Sequence, residues 1–257
     1  MSAGADRTRL MRVAQELATA AQQPPPKQGR RRLPVVAARD AAGLVEILHE
    51  QLDQAIAQRT AFIAEGGMVL ACGRGCTACC TGPVVVGEAE AVAVAVWLDA
   101  HPEVRERFRA AYQAWRAALG ALIEEIFLDD SDEGRQRAAE AFRSRRAMCP
   151  FNEQGDCTIY PVRPALCRTT HALETRERCS VIGGQIEALR HPAVEGTYER
   201  QHALRSLLQR SLEPGRRDEL LPKAVVRRLT LAAAAPNQPC ACGSGRKHKR
   251  CCGTSES

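Results

Sequence analysis

The sequence predicts a mostly α-helical protein whose helices are interrupted by cysteine-rich loops. Apolar residues recur with a helical period along most of the chain, and neither strand–helix alternation nor an internal repeat is visible. The 12 cysteines among the 257 residues fall into three groups, in stretches rich in Gly and Pro. We therefore expect a small helical domain with irregular, cysteine-bearing loops.

The helices are predicted, in chain order, from the spacing of the apolar residues. The first covers 6–22 and ends at a Pro- and Arg-rich linker, because consecutive prolines cannot continue a helix. Further helices are predicted at 39–64, 88–100, 104–128, 132–146, 180–190 and 197–212. Residues 213–239 show no clear period and are predicted to be a mixed connector.

Composition favours a soluble protein of the cytoplasm. Hydrophobic residues make up 45% of the chain and charged residues 26%, as in ordinary globular proteins. The most apolar stretch, 84–98, contains Glu88 and Glu90, and charged residues also interrupt any signal-peptide core near the N-terminus. In a reducing cytoplasm, closely spaced cysteines are better explained as metal ligands, and their even number leaves disulfides as the alternative.

The third cysteine group lies in the run 239–253, at the C-terminal end of the sequence. It consists of Cys240, Cys242, Cys251 and Cys252. The pairs are separated by a loop long enough to return, and the glycines in it permit a tight turn. Four thiolates at about 2.3 Å satisfy tetrahedral zinc, and so small a segment would depend on the metal for its folding.

This run resembles the SEC-C motif, C-x-C-x-S-G-x-K-[YF]-K-x-C-[CH], a zinc-binding element also found at the end of the SecA preprotein translocase. His248 stands where the motif has an aromatic residue. We expect the four cysteines to complete the zinc shell without His248. The resemblance implies a zinc knuckle that docks a protein partner or the ribosome.

The first two cysteine groups lie in the body of the chain. The first consists of Cys72, Cys76, Cys79 and Cys80, and the second of Cys149, Cys157, Cys167 and Cys179. The second group includes Cys-Pro-Phe at 149–151, Cys-Thr-Ile-Tyr at 157–160 and Arg-Pro-Ala-Leu-Cys-Arg at 163–168. Together they resemble the YkgJ-type family of zinc- or iron-chelating proteins, whose pattern is C-x2-3-C-x2-C-C followed by C-P-[FL] and C-x-I-Y-x-x-R-P-x-x-C-R. The resemblance covers residues 72–179.

These eight body thiols can form two four-cysteine zinc sites, or one [4Fe–4S] cluster with spare cysteines. Tyr160, Arg163 and Arg168 are predicted beside the metal, where a cation offsets thiolate charge and donates to sulfur. A plain salt bridge or helix contact is the alternative for the two arginines. His171 can replace one cysteine or lie outside the ligand shell, and Cys179 is either a ligand or a buried free thiol.

The sequence is divided into four predicted segments. They are a basic, Pro-rich extension at 1–38, the helical cysteine domain at 39–213, a linker at 214–238 and the zinc motif at 239–253. Basic residues concentrate at the ends, with eight Lys or Arg against two acidic residues in 1–39 and four against one in 240–257. Such ends favour contact with polyanions.

The function predicted from these features is that of a metal-binding accessory or adaptor protein, with zinc in the tail and zinc or iron in the body. Two alternatives stay open. One is an iron–sulfur-dependent protein-modifying enzyme, because the flagellin lysine N-methylase carries a similar cysteine motif. The other is a metal chaperone, which would need exchangeable thiolates.

The C-x3-C-x2-C spacing at 72–79 also matches radical S-adenosylmethionine enzymes, but the flanking segments are predicted helices.

Overall fold

The structure is a computed structural model that describes residues 7–23, 33–72, 75–126, 129, 131–171, 192–233, 237 and 247. Within these residues the prediction of a mostly helical fold is confirmed. The helices are α1 (Arg7–Gln22), α2 (Ala38–Glu65), α3 (Glu88–Asp99), α4 (Pro102–Leu119), α5 (Leu122–Glu125), α6 (Asp132–Ser144), α7 (Ala165–Thr169), α8 (Pro192–Leu212) and α9 (Leu221–Ala233). Four two-residue strands accompany them, β1 (Val85–Val86), β2 (Asn152–Glu153), β3 (Asp156–Cys157) and β4 (Glu219–Leu220). The predicted helix at 180–190, Cys179 and the predicted zinc knuckle lie outside the described residues.

Helix α3 occupies the centre of the fold and packs against α2, α4, α8 and α9. Its sequence explains this position, because a helix that is apolar on all sides is stable only when it is buried. Ala91, Val94 and Leu98 have no exposed surface. None of the described helices, α3 included, is both long enough and apolar enough to cross a bilayer.

Two apolar clusters lie on opposite sides of α3. The larger one joins α3, α4 and α9 to the loop of the second cysteine group, and Cys149 and Cys157 pack against it. In this cluster the rings of Phe108 and Phe151 stack with their centroids 4.1 Å apart, so the cysteine loop is anchored to the core. The smaller cluster joins α1, α2 and α8 to the other side of α3.

The prediction of one helix over 104–128 was wrong. Helix α4 ends at Leu119, and α5 begins only at Leu122. Gly120 separates them with φ of +56° and ψ of −128°, a conformation that ends the helix and that glycine adopts without strain. A second difference is at α8, which begins at Pro192 and so precedes its predicted start by one turn or more.

The segment 214–238 was predicted to be a linker, but it contains β4 and α9. Val85 of β1 pairs with Leu220 of β4 in an antiparallel ladder. Leu221, Val225 and Leu229 follow at every fourth position and are buried in the larger cluster. From Glu219 to Thr230 the segment is therefore part of the core.

A buried ionic network holds α9 against α3. The guanidinium of Arg227 is 3% exposed and contacts the carboxylate of Glu88, which is 1% exposed. The same guanidinium lies 2.9 Å from Glu213 and 2.8 Å from Glu219. Because the buried charge is surrounded by carboxylates, its desolvation is offset by ion pairs with hydrogen-bond geometry.

Candidate metal centre

The first cysteine group approaches the second through a short 3-10 turn, Ala78–Thr81, that carries Cys79 and Cys80. The carbonyl of Cys80 accepts a hydrogen bond of 2.8 Å from the backbone N–H of Cys149. The side chain of Asn152 donates to Cys80 Sγ at 3.7 Å. These contacts join two segments that are about 70 positions apart in the sequence.

Cys157 is placed by a tight hairpin. Strands β2 and β3 pair so that Asn152 lies opposite Cys157. Gln154 and Gly155 form the turn between them with φ values of 52° and 95°, as a type I′ turn requires. Since Asn152 also contacts Cys80, the hairpin brings Cys157 to the same place as the first cysteine group.

Cys167 lies in the short helix α7, which Asp53 of α2 and Glu90 of α3 hold in position. Arg168 is 3% exposed and donates to the carbonyls of Pro161 at 2.6 Å and Arg163 at 2.9 Å. Its remaining nitrogen lies 2.5 Å from the carboxylate of Asp53 on α2. On the other side of Cys167, the N–H of Ala165 donates to Glu90 Oε1 at 2.8 Å.

The cysteine side chains brought together in this way are Cys79, Cys80, Cys149, Cys157 and Cys167, and we call them the thiol cluster. Burial, reinforced by the nearby Cys167, Cys157 and Cys79, raises the pKa of Cys149 to about 12. Burial also raises the pKa of Cys167 to about 12. The hydrogen bond to Cys80, followed by burial, raises the pKa of Cys79. Without metal, Cys79, Cys149 and Cys167 are therefore protonated at neutral pH, and a metal ion would have to displace their protons.

Two arginines place positive charge next to the thiol cluster. Burial raises the pKa of Cys157 and the charge of Arg163 opposes that rise. Arg163 is held by its own neighbours, because its guanidinium stacks on the ring of Tyr160 at 3.7 Å and donates to the Tyr160 carbonyl at 2.9 Å. Arg143 of α6 acts in the same sense on Cys79, although hydrogen bonding to Cys80 dominates the pKa of that thiol. Arg168, by contrast, is occupied by Asp53 and the two carbonyls.

His171 is the other side chain that was considered as a ligand. Burial, with the charges of Arg59 and Arg163, lowers the pKa of His171 to about 4, so its imidazole is neutral at physiological pH. Its Nδ1 is buried and has no hydrogen-bond partner among the described residues. Both properties suit a metal-binding histidine, but the structure does not place it in contact with the thiols.

The chemistry of the thiol cluster fits a thiolate-bound metal. The seven described cysteines are half-buried, and soft thiolate ligands select zinc and iron–sulfur clusters. In the part of the chain that the structure describes, however, no three His, Cys, Asp or Glu side chains are arranged to hold a metal ion. Binding would therefore require the loops to adjust. None of the contacts that form the thiol cluster involves Cys72 or Cys76. The other predicted metal ligands, Cys179, Cys240, Cys242, Cys251 and Cys252, lie outside the described residues.

Sequence reasoning missed three residues near the thiols, namely Asp53, Glu90 and Arg143. Glu90 carried a detectable signal, because a charged residue inside an otherwise apolar helix must find a buried partner. Asp53 and Arg143 lie on helices rich in charged residues, and nothing in the sequence distinguishes them from their neighbours.

Comparison with known proteins gives partial matches. No solved structure matches the chain. The protein translocase subunit SecA of Lachnoclostridium phytofermentans is 40% identical over 68 residues, which make up 26% of this chain and 7% of that SecA. These comparisons support neither the YkgJ-type family nor an iron site. The SEC-C motif, a motif of zinc-binding type, matches residues 237–254, so the chain carries at its C-terminal end a motif that it shares with SecA.

Proposed function

We propose that this protein is a cytoplasmic, metal-binding accessory or adaptor protein. In this proposal the helical body binds zinc or iron through its cysteines, and the tail binds zinc and docks a protein partner or the ribosome. The observation that carries the proposal is the thiol cluster, in which free cysteines from three separate segments of the chain meet in one half-buried place.

The body metal is proposed to bind Cys79, Cys149, Cys157 and Cys167. Each of the last three thiols is half-buried and lies close enough to Cys79 for their charges to interact. A free cysteine packs like any other small apolar side chain, so packing alone does not explain why these positions are all cysteines. A metal ion bound by their sulfurs would explain it. The sequence resemblance to the YkgJ-type family agrees with a metal in the body but does not assign its ligands. Cys72, Cys76, Cys80 and Cys179 are then available for a second site.

Charge supports the assignment as well. Four thiolates around one divalent ion leave a net charge of about −2. Arg143 and Arg163 both act on thiols of this set. Two guanidiniums next to the site would offset that charge, and Arg163 is already held in place by Tyr160.

The tail is proposed to hold its zinc through the third cysteine group, Cys240, Cys242, Cys251 and Cys252. The SEC-C match supports this ligand set. The similarity to a protein translocase subunit supports docking on another protein. Arg246, Lys247, Lys249 and Arg250 lie between the cysteine pairs, so an acidic protein surface or ribosomal RNA suits this segment.

Metal content tests both sites on the full chain purified without oxygen. The double variant Cys149→Ser/Cys167→Ser should lose the metal of this four-cysteine site and keep the tail zinc. Cys251→Ser/Cys252→Ser should lose one zinc and keep the body metal. Met148→Leu, next to Cys149 and 40% exposed, is the matched control and should keep all metal. Unchanged metal content in the first variant would disprove the body site. Visible absorption with acid-labile sulfide would favour the iron–sulfur enzyme.

Docking is tested separately by sedimenting the protein with purified ribosomes. If the tail docks there, binding should be lost in Cys251→Ser/Cys252→Ser and kept in Cys149→Ser/Cys167→Ser. Ribosome binding that is equal in both variants and the parent would show that the zinc tail is not the docking element.

A further inference from the structure

Glu90 connects the centre of the helical body to the loop that carries Cys167. It is on α3, and its carboxylate is 13% exposed. Oε1 accepts the N–H of Ala165 at 2.8 Å and lies 3.2 Å from His49 Nε2. Arg205 Nη1 lies 3.5 Å from the same oxygen. The carboxylate therefore joins α2, α3 and α8 to the first turn of α7.

The carboxylate is suited to this position. Helix α7 has five residues, begins after Pro164, and has no side-chain cap on its own N-terminal residue. Its first N–H needs an acceptor, and a carboxylate at a helix N-terminus is favoured. Burial alone would raise the pKa of Glu90, but hydrogen bonds from His49 and Ala165 reverse the effect and lower it. Glu90 is thus ionised when it accepts from α7.

Cys167 is held on both sides. Ala165, two residues before it, is fixed by Glu90. Arg168, the residue after it, is fixed by Asp53 and by the carbonyls of Pro161 and Arg163. Of the two anchors, Glu90 belongs to the buried central helix, whereas the Asp53 side chain is 48% exposed and easily rehydrated.

We propose that Glu90 is a positioning residue of the body metal site, which holds the first turn of α7 so that Cys167 reaches the metal as the fourth thiolate. This inference rests on the proposed function. Without Glu90 the site would bind through Cys79, Cys149 and Cys157, and a weaker ligand such as water would replace Cys167. The role is distinct from general stabilisation of the fold, because it predicts a change in the ligand set.

The chain offers a matched control on the same helix. Glu88 is also a buried glutamate of α3, two positions before Glu90, but its charged partners are Arg227 and Arg228 of α9. Glu88→Ala should destabilise the helical body to a similar extent without touching the cysteine loops. The pair therefore separates a loss of stability from a loss of positioning.

Cobalt(II) is the probe, because its thiolate-to-metal charge-transfer absorption reports how many sulfurs are bound. The titrations use the full chain with Cys251→Ser/Cys252→Ser, so that the tail does not contribute. Glu90→Ala should lower the charge-transfer absorption per bound cobalt by about a quarter, for one of four thiolates, and weaken cobalt binding about 10- to 100-fold. Glu90→Gln keeps an oxygen acceptor and should retain the parent spectrum. Glu88→Ala should lower the Tm and leave the spectrum unchanged.

If Glu90→Ala and Glu88→Ala give the same spectrum and affinity, the positioning role is overturned while the metal site stands. If the parent shows no thiolate-to-cobalt absorption, the proposed function itself fails, and the inference fails with it. Should Glu90→Ala not fold, Glu90→Asp withdraws the oxygen by one methylene and should show the same loss of one thiolate. A parent-like spectrum in a folded Glu90→Asp chain would equally overturn the role.

Discussion

Replacing Arg168 by methionine should destabilise the metal-free protein by about 3 kcal/mol. The guanidinium donates two charge-assisted hydrogen bonds, to Pro161 and Arg163, and each such bond contributes about 1.5–3 kcal/mol. The ion pair with Asp53 adds about 1 kcal/mol or less, since the Asp53 side chain is 48% exposed and screened by solvent. Methionine recovers part of the loss, because it fills the space of the aliphatic stem and removes a buried charge.

Urea unfolding followed by circular dichroism measures this change, with chelator and reductant present. A loss of about 3 kcal/mol corresponds to a fall in Tm of about 6–12 °C for a domain of this size. Arg109→Met is the control, because Arg109 forms an exposed pair with Glu106 in which the side chains are 40% and 64% exposed. It should change stability by about 0.5 kcal/mol or less. A loss below about 1 kcal/mol in Arg168→Met would refute the claim that this arginine organises the loop.

Three further predictions concern the body. Arg227→Met should cost about 3–5 kcal/mol in thermal unfolding, because it leaves the buried Glu88 with one cation fewer, and a change within 1 kcal/mol would contradict the ionic network. Gly120→Ala should cost about 1 kcal/mol, because φ is +56° there, and a stabilised variant would show that the break between α4 and α5 is not required. Burial lowers the pKa of His49, so folding opposes its protonation, and stability should fall as pH drops below about 6.5. His49→Gln should flatten that slope as the pH falls below about 6.5, by up to about 1.4 kcal/mol per pH unit, and an unchanged slope would contradict the buried, neutral state.

The apolar period located the helices well where one face of the helix is buried throughout. Helix α2 was predicted at 39–64 and covers Ala38–Glu65. The same reasoning failed at Gly120, because an isolated glycine does not by itself predict a helix end. It also failed at α9, where Arg227 lies among the apolar residues and hid their period. That arginine is part of the core, because its charge is satisfied by carboxylates from three other places in the sequence.

The sequence singled out the cysteines of the candidate site but not their arrangement. Spacing alone singled out the cysteines, since close pairs of thiols are rare without a metal or a disulfide. The contacts that order them join residues far apart, with 75 positions between Glu90 and Ala165 and 115 between Asp53 and Arg168. Such contacts depend on how the helices pack, and a single sequence carries no signal for them beyond the cost of a buried charge.

Because both anchors of α7 are on helices of the body, binding of the proposed metal would be linked to the stability of the body. An ion that binds the folded thiol cluster alone stabilises the protein by about 2.7 kcal/mol at a concentration 100 times its Kd. Glu90 of α3 and Asp53 of α2 contact the loop that would hold the metal. Unfolding of either helix would therefore also break contacts of the metal-bound loop. The helices and the metal site should therefore unfold together when metal is bound. In the metal-free protein the cysteine loops, whose described residues form only short turns, two-residue strands and the five-residue α7, should open before the long helices of the body.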